Sequence, residues 1–342
     1  MRLEIDDNEH DDEPLPASGY RTYEVYQRER VGETTNLIRP RQLISESFVR
    51  DPYPLLEILR EHYPCYRDWV GNRFWVTRYD DVTSVFADEA NYETRARRWS
   101  YGKPGLGRDL MAELSVAWAR ANRIDAAVDD IATRVVADLG HEADLATGFA
   151  ARLPLELWGA VLDLPADTVA PFSAAYWRMH RGFAWDPSSR SDGLAALADM
   201  REIVGPLLEQ RRAAPGDDLL SAVAQLDGLD GGPATVDDVV ATILETDHET
   251  LHGGLANLWF LLLTNPEQFE VVRSRPRLMK FAWLEALRHS PAVLSAERFA
   301  RHEVERFGRL IPAGGLLLCS AAAANRDPRA FVDPDRFLVE RR

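Results

Sequence analysis

The stretch from Thr235 to Pro266 constrains this chain more than any other. Thr235 is a good helix N-cap, and Asp237 and Asp238 fall in the first turn, where the positive end of the helix dipole favours acids. No proline follows until Pro266. The stretch therefore permits one helix of about 30 residues, about 45 Å long, well beyond the usual globular length. Apolar residues lie before its middle (Val240, Ile243, Leu244) and after it (Leu255, Leu258, Trp259) at helical spacing. The middle itself is polar: Glu245, Asp247, His248, Glu249 and Thr250. A polar notch in a buried helix is a candidate site, because buried polar groups are costly unless something meets them.

The surrounding composition is globular, with 46% hydrophobic and 28% charged residues over a length of 342. A net charge of −15 argues against nucleic acid as a partner, since phosphates require clustered Lys and Arg. The two cysteines, Cys65 and Cys319, are too few for a disulfide framework and fit a reducing cytoplasm. The apolar run Leu258 to Leu263 is far too short to span a bilayer, so no membrane is expected. Residues 1–14 carry seven acids against one arginine and do not resemble a secretory leader. Residues 1–40 are therefore expected to form an acidic, disordered head and lead-in, and residues 41–342 a single domain.

Periodicity predicts a helix over 52–61, with Leu55, Leu56 and Leu59 on one face. A strand follows over 72–78, with Phe74 and Val76 alternating, and then a helix over 79–87. An Arg- and Gly-rich loop over 95–108 leads into a helix over 109–140. Further helices are predicted near 155–162, 191–212 and 277–289, and β-like stretches near Arg298–Phe299 and Leu316–Cys319. The class is mainly α with a small β-region.

His248-Glu249-Thr250-Leu251-His252 matches H-E-x-x-H. On a helix the two histidines share a face and would bind zinc, with Glu249 as general base of a hydrolase. The third ligand is missing from the pattern: Leu255 and Leu258 stand where Gly and His would continue it.

A second reading uses the order of motifs. Thr246-Asp247-His248-Glu249-Thr250 is followed by Glu285-Ala286-Leu287-Arg288, Arg298, Asn325-Arg326-Asp327-Pro328, and Asp333-Pro334-Asp335-Arg336-Phe337. Upstream lie Asp51-Pro52-Tyr53-Pro54 and Trp75 to Val82. Each motif alone is weak, but the ordered set over about 45–340 resembles the cytochrome P450 family.

That resemblance implies a haem under the long helix, its iron held by a Cys thiolate that favours O–O cleavage. It places Glu249 and Thr250 as the acid–alcohol pair that relays protons. It makes Glu285, Arg288 and Arg336 a buried ion-pair triad, suited to arginine's planar fork, and sets Arg298 on a haem propionate. It implies oxygenation of a small apolar molecule with electrons from a ferredoxin-type partner.

The sequence also departs from the family. The family's Cys lies in a Gly-rich loop after the P-x-R-F element, and the chain ends at Arg342, five residues beyond Phe337. Cys319 precedes that element and Cys65 lies far upstream. No metal ligand is therefore assigned, and haem binding is in question. The propionate-binding helix before residue 109 is abbreviated, and Asp247 replaces the notch glycine. Against the family the chain is about 60–80 residues short. The expectation is a P450 fold lacking the Cys loop and final helix: a truncated or degenerate member, inactive as an oxygenase. The alternative is a haem-free auxiliary protein for a partner enzyme such as a glycosyltransferase.

Overall fold

A computed structural model describes residues 37–94, 124–183, 189–216, 218–226, 232–245 and 248–341. Of the acidic head and lead-in expected over 1–40, residues 1–36 lie outside them, as do residues 95–123 of the expected loop and following helix.

In chain order the elements used below begin with α1 (Tyr53–His62), β1 (Cys65–Asp68), β2 (Arg73–Val76), α2 (Tyr79–Ala87) and β3 (Tyr92–Glu93). There follow α3 (Ile124–Ala137), a π-helical turn (Ala146–Ala150), α4 (Arg152–Val161), α5 (Ala166–Phe183), α6 (Arg190–Ala213) and α7 (Leu219–Ala224). Next come α8 (Val236–Glu245), α9 (His248–Thr264), α10 (Pro266–Ser274) and α11 (Met279–His289). The chain then forms β4 (Ala296–Ala300), β5 (Val304–Arg306), β6 (Arg309–Ile311), β7 (Leu316–Cys319) and the short α12 (Ala321–Ala324). There are two compact units, each described by itself: residues up to 95 with Val293–Arg336, and Ala96–Ala292 with Phe337–Arg342.

The first unit is built on a five-stranded sheet of order β1-β2-β7-β4-β3. β2 and β7 run parallel, and the remaining pairs are antiparallel. Alternation along the strands explains why both faces are buried. Cys65, Phe74, Val76, Leu317 and Cys319 point to one core with Val82, Val85 and Tyr92. Tyr66, Trp75 and Leu318 point to the other, against Leu56 and Leu59 of α1. Strands covered on both faces read as nearly continuous apolar runs, as RFWV and LLLC do. One carboxylate ties distant segments together: Asp327, 1% exposed, accepts the Tyr79 amide of the first α2 turn at 3.0 Å.

The second unit is helical. Its main core joins α4, α5, α6, α7 and α8 through Trp158, Phe172, Tyr176, Met179, Met200 and Val239. Glycines at two contacts let helices approach closely. A Cβ on Gly182 of α5 would lie 2.3 Å from the Gly193 Cα of α6. One on Gly254 of α9 would lie 2.6 Å from the Trp283 ring of α11. The stretch expected to be one helix over 235–265 is described as α8 and α9, with Thr246 and Asp247 outside the described residues. The Thr235 end also differs in detail. Its hydroxyl and amide both donate to the Asp238 carboxylate, at 2.7 and 2.6 Å, so the acid of the first turn does the capping.

Candidate functional site

Thr250 stands in the first turn of α9. A threonine inside a helix commonly bonds back to a carbonyl one turn earlier. The Thr250 Oγ1 is buried and has no hydrogen-bond partner among the described residues. A buried hydroxyl left open costs about 1–3 kcal/mol, so it marks the notch as a place where something polar belongs. The side chains of Glu249, expected to act with it, and of His248, expected as a zinc ligand, lie outside the described residues.

α9 is fixed to α11 by close packing and by one polar clamp. Gly253 and Gly254 admit Ala292 and Trp283, and Asn257 Nδ2 donates to the Ser290 carbonyl at 2.7 Å. Leu258, Leu261 and Leu262 close the contact over Ala282 and Ala286. The second histidine of the H-E-x-x-H pattern, His252, meets the Trp177 ring edge to face at 5.1 Å. Among the described residues no group of three His, Cys, Asp or Glu side chains is placed to hold a metal.

Glu285 and Arg288 of α11 pair as the E-x-x-R spacing requires. Arg288 donates Nε and Nη2 to the two carboxylate oxygens at 2.7 and 2.9 Å. Both side chains are buried, and burial alone would raise the Glu285 pKa. Bonds from Arg288, from Arg341 and from the Leu338 amide outweigh that and hold it below the usual carboxylate range. The third member is Arg341, whose Nε lies 2.9 Å from Glu285 Oε1. Arg336, the residue expected there, has a side chain 68% exposed and lies 3.7 Å from Asp333. The correction is physical: the Leu338 amide already seats the chain end on Glu285, and Arg341, three residues on, reaches the same carboxylate. Sequence offered several arginines near that end and no signal to choose between them.

Arg298 lies on β4, in the first unit. Its guanidinium sits 4.6 Å from the centre of the Phe86 ring, and Nη1 donates to the Glu297 carbonyl at 2.8 Å. Cation–π contact of this kind is worth about 0.5–1 kcal/mol when exposed.

A thiolate-held haem needs an ionised, reachable cysteine, and the two cysteines do not fit that requirement. Cys65 and Cys319 are both buried and form no disulfide. Both stand opposite Val76, on the strands flanking β2. They lie in one row across the sheet, about 9–10 Å apart by strand spacing, too far to bridge. Burial pushes the Cys319 thiol up to about 12, against a smaller opposing pull from Arg298. Neither is placed to bind iron.

No family model matches the chain. It is 27% identical over 325 residues to the cytochrome P450 monooxygenase PikC of Streptomyces venezuelae, covering 87% of this chain and 77% of that protein. It is 28% identical to a vitamin D(3) 25-hydroxylase of Pseudonocardia autotrophica, covering 90% and 82%. Among solved structures, the ligand-free cytochrome P450 TbtJ1 matches with a TM-score of 0.72 and 27% identity, over 87% of this chain and 81% of that one. The ordered motifs, the mainly helical architecture and these relatives agree: the chain belongs to the cytochrome P450 family.

Proposed function

We propose that this 342-residue chain binds a small apolar molecule in the manner of its oxygenase relatives and that neither of its two cysteines serves as a haem thiolate. The observation that carries the proposal is the placement of its two cysteines. Cys319 is enclosed in the sheet with its thiol held protonated, and Cys65 is buried across β2 from it. The lineage supports the substrate class, since PikC is a monooxygenase and a second relative is a vitamin D(3) hydroxylase. Glu249 and Thr250 stand where that lineage keeps its acid–alcohol pair, and a ferredoxin-type partner belongs to the reading only if oxygenation occurs. The unpartnered Thr250 hydroxyl supports one polar contact, to a water or a single polar atom of an otherwise apolar guest, in the notch.

The same cysteine placement favours a second reading, a haem-free auxiliary protein that works on a partner enzyme such as a glycosyltransferase. One preparation separates the readings. The 342-residue chain, expressed with haem supplied and purified, is expected to be colourless or to carry haem below stoichiometry. Stoichiometric haem with a thiolate spectrum overturns the proposal. Co-elution with a glycosyltransferase in a colourless complex selects the second reading.

A further inference from the structure

Helices α4 and α5 leave a short connection at residues 162–165 and pack at Gly159, where a Cβ would lie 2.9 Å from Val169 Cγ2. With α3, the π-helical turn and His252 of α9 they line a cleft of about 1470 Å³, wholly within the helical unit. Small-molecule sites usually measure about 300–1,000 Å³, so the cleft has room for a large guest. It is not the Thr250 site. His252 follows Thr250 by two positions, which turns its side chain about 200° around α9.

Three features of the cleft give its chemistry. Its inner wall is apolar, with Ile131, Leu155, Leu164 and Val169, and Trp177 presents a half-buried indole whose edge is fixed by His252. Its rim carries Arg134, Arg152 and Arg181. The acids beside them are largely engaged. Glu156 accepts from both Arg134, at 2.8 Å, and Arg152, while Arg152 also reaches Asp138 at 2.6 Å. Asp163 accepts from Arg211 at 2.7 Å. Asp130 is the remaining acid on the wall. Arg134 uses one bond to Glu156 and is 58% exposed, so N–H donors are left over at the rim. Finally, Ala146 and Thr147 reach the cleft from a π-helical turn. Such turns are rare and concentrate at functional sites.

We propose that this cleft is a second small-molecule site, which takes a ring-containing apolar molecule bearing a carboxylate. The rings lie along the aliphatic wall against Trp177, and the carboxylate meets the arginines of the rim, whose planar forks suit it.

The probe is 1-pyrenebutyrate, with 1-pyrenebutanol as its uncharged counterpart, titrated by fluorescence into the full chain. One acid per chain is expected to bind, at least tenfold tighter than the alcohol. Ala170 and Ala174 line the cleft and are exposed, so Ala170→Trp and Ala174→Trp fill it without disturbing the core. Each is expected to weaken binding at least tenfold with an unchanged melting curve. Arg134→Ala combined with Arg181→Ala is expected to erase the preference for the acid. Thr250→Ala is expected to leave binding unchanged. Binding that is not saturable, undiminished binding in both tryptophan variants, equal affinity for acid and alcohol, or loss in Thr250→Ala overturns the proposal.

Discussion

At the residue scale, the energetics centre on Glu285. It is 5% exposed and accepts four hydrogen bonds, two from Arg288, one from Arg341 and one from the Leu338 amide. Without Arg341 the carboxylate keeps Arg288 but loses one charged hydrogen bond, worth about 1.5–3 kcal/mol. Arg341→Ala should therefore lower stability by about 2 kcal/mol in urea unfolding, and Arg336→Ala by about 0.5 kcal/mol. Equal losses would contradict the assignment of Arg341 to the pair. The pH dependence follows from the depressed Glu285 pKa. Its contribution is complete above the ordinary unfolded carboxylate range and is lost as pH falls through the lower folded value. Glu285→Gln should flatten that part of the acid-unfolding profile. Sequence made Glu285 and Arg288 legible because i,i+3 spacing is a local property of one helix. Arg341 was not legible, because a contact 56 residues away depends on how the chain end packs.

At the element scale, glycines decide which helices touch. The α5–α6 contact at Gly182 and Gly193 is backbone against backbone, so neither side can yield cheaply. Gly182→Ala should destabilise by about 1–3 kcal/mol, despite alanine's better helix propensity. Gly205, also on α6, meets nothing nearer than a Val236 methyl at 3.8 Å. Gly205→Ala should stabilise by about 0.5–1 kcal/mol. Paired urea titrations check both signs, and a stabilised Gly182→Ala would refute the packing argument. Apolar periodicity announced most of these elements, including the helix over 79–87 and the strands at 298–299 and 316–319. It did not announce the pairing of β2 with β7, 240 or so residues apart, since partner choice comes from the fold. Nor did it show that the Thr250 hydroxyl stays open, because an isolated helix offers every threonine a carbonyl one turn back.

At the scale of the whole molecule, family membership was legible because the motifs keep their order and separations through a chain whose relatives are 27–28% identical. Order survives divergence because each motif is tied to its own element. Chemistry is less secure than fold, since function resides in sites rather than architectures. In this protein the two cysteines serve the sheet core. Native protein should react with a thiol reagent at neither Cys65 nor Cys319, and at both once unfolded. The most direct test of the central claim is the reduced, carbon monoxide-treated absorption spectrum of the 342-residue chain after haemin titration. The account predicts no Soret band at the thiolate–haem position. A stoichiometric band there, abolished by Cys319→Ser or Cys65→Ser, would contradict it.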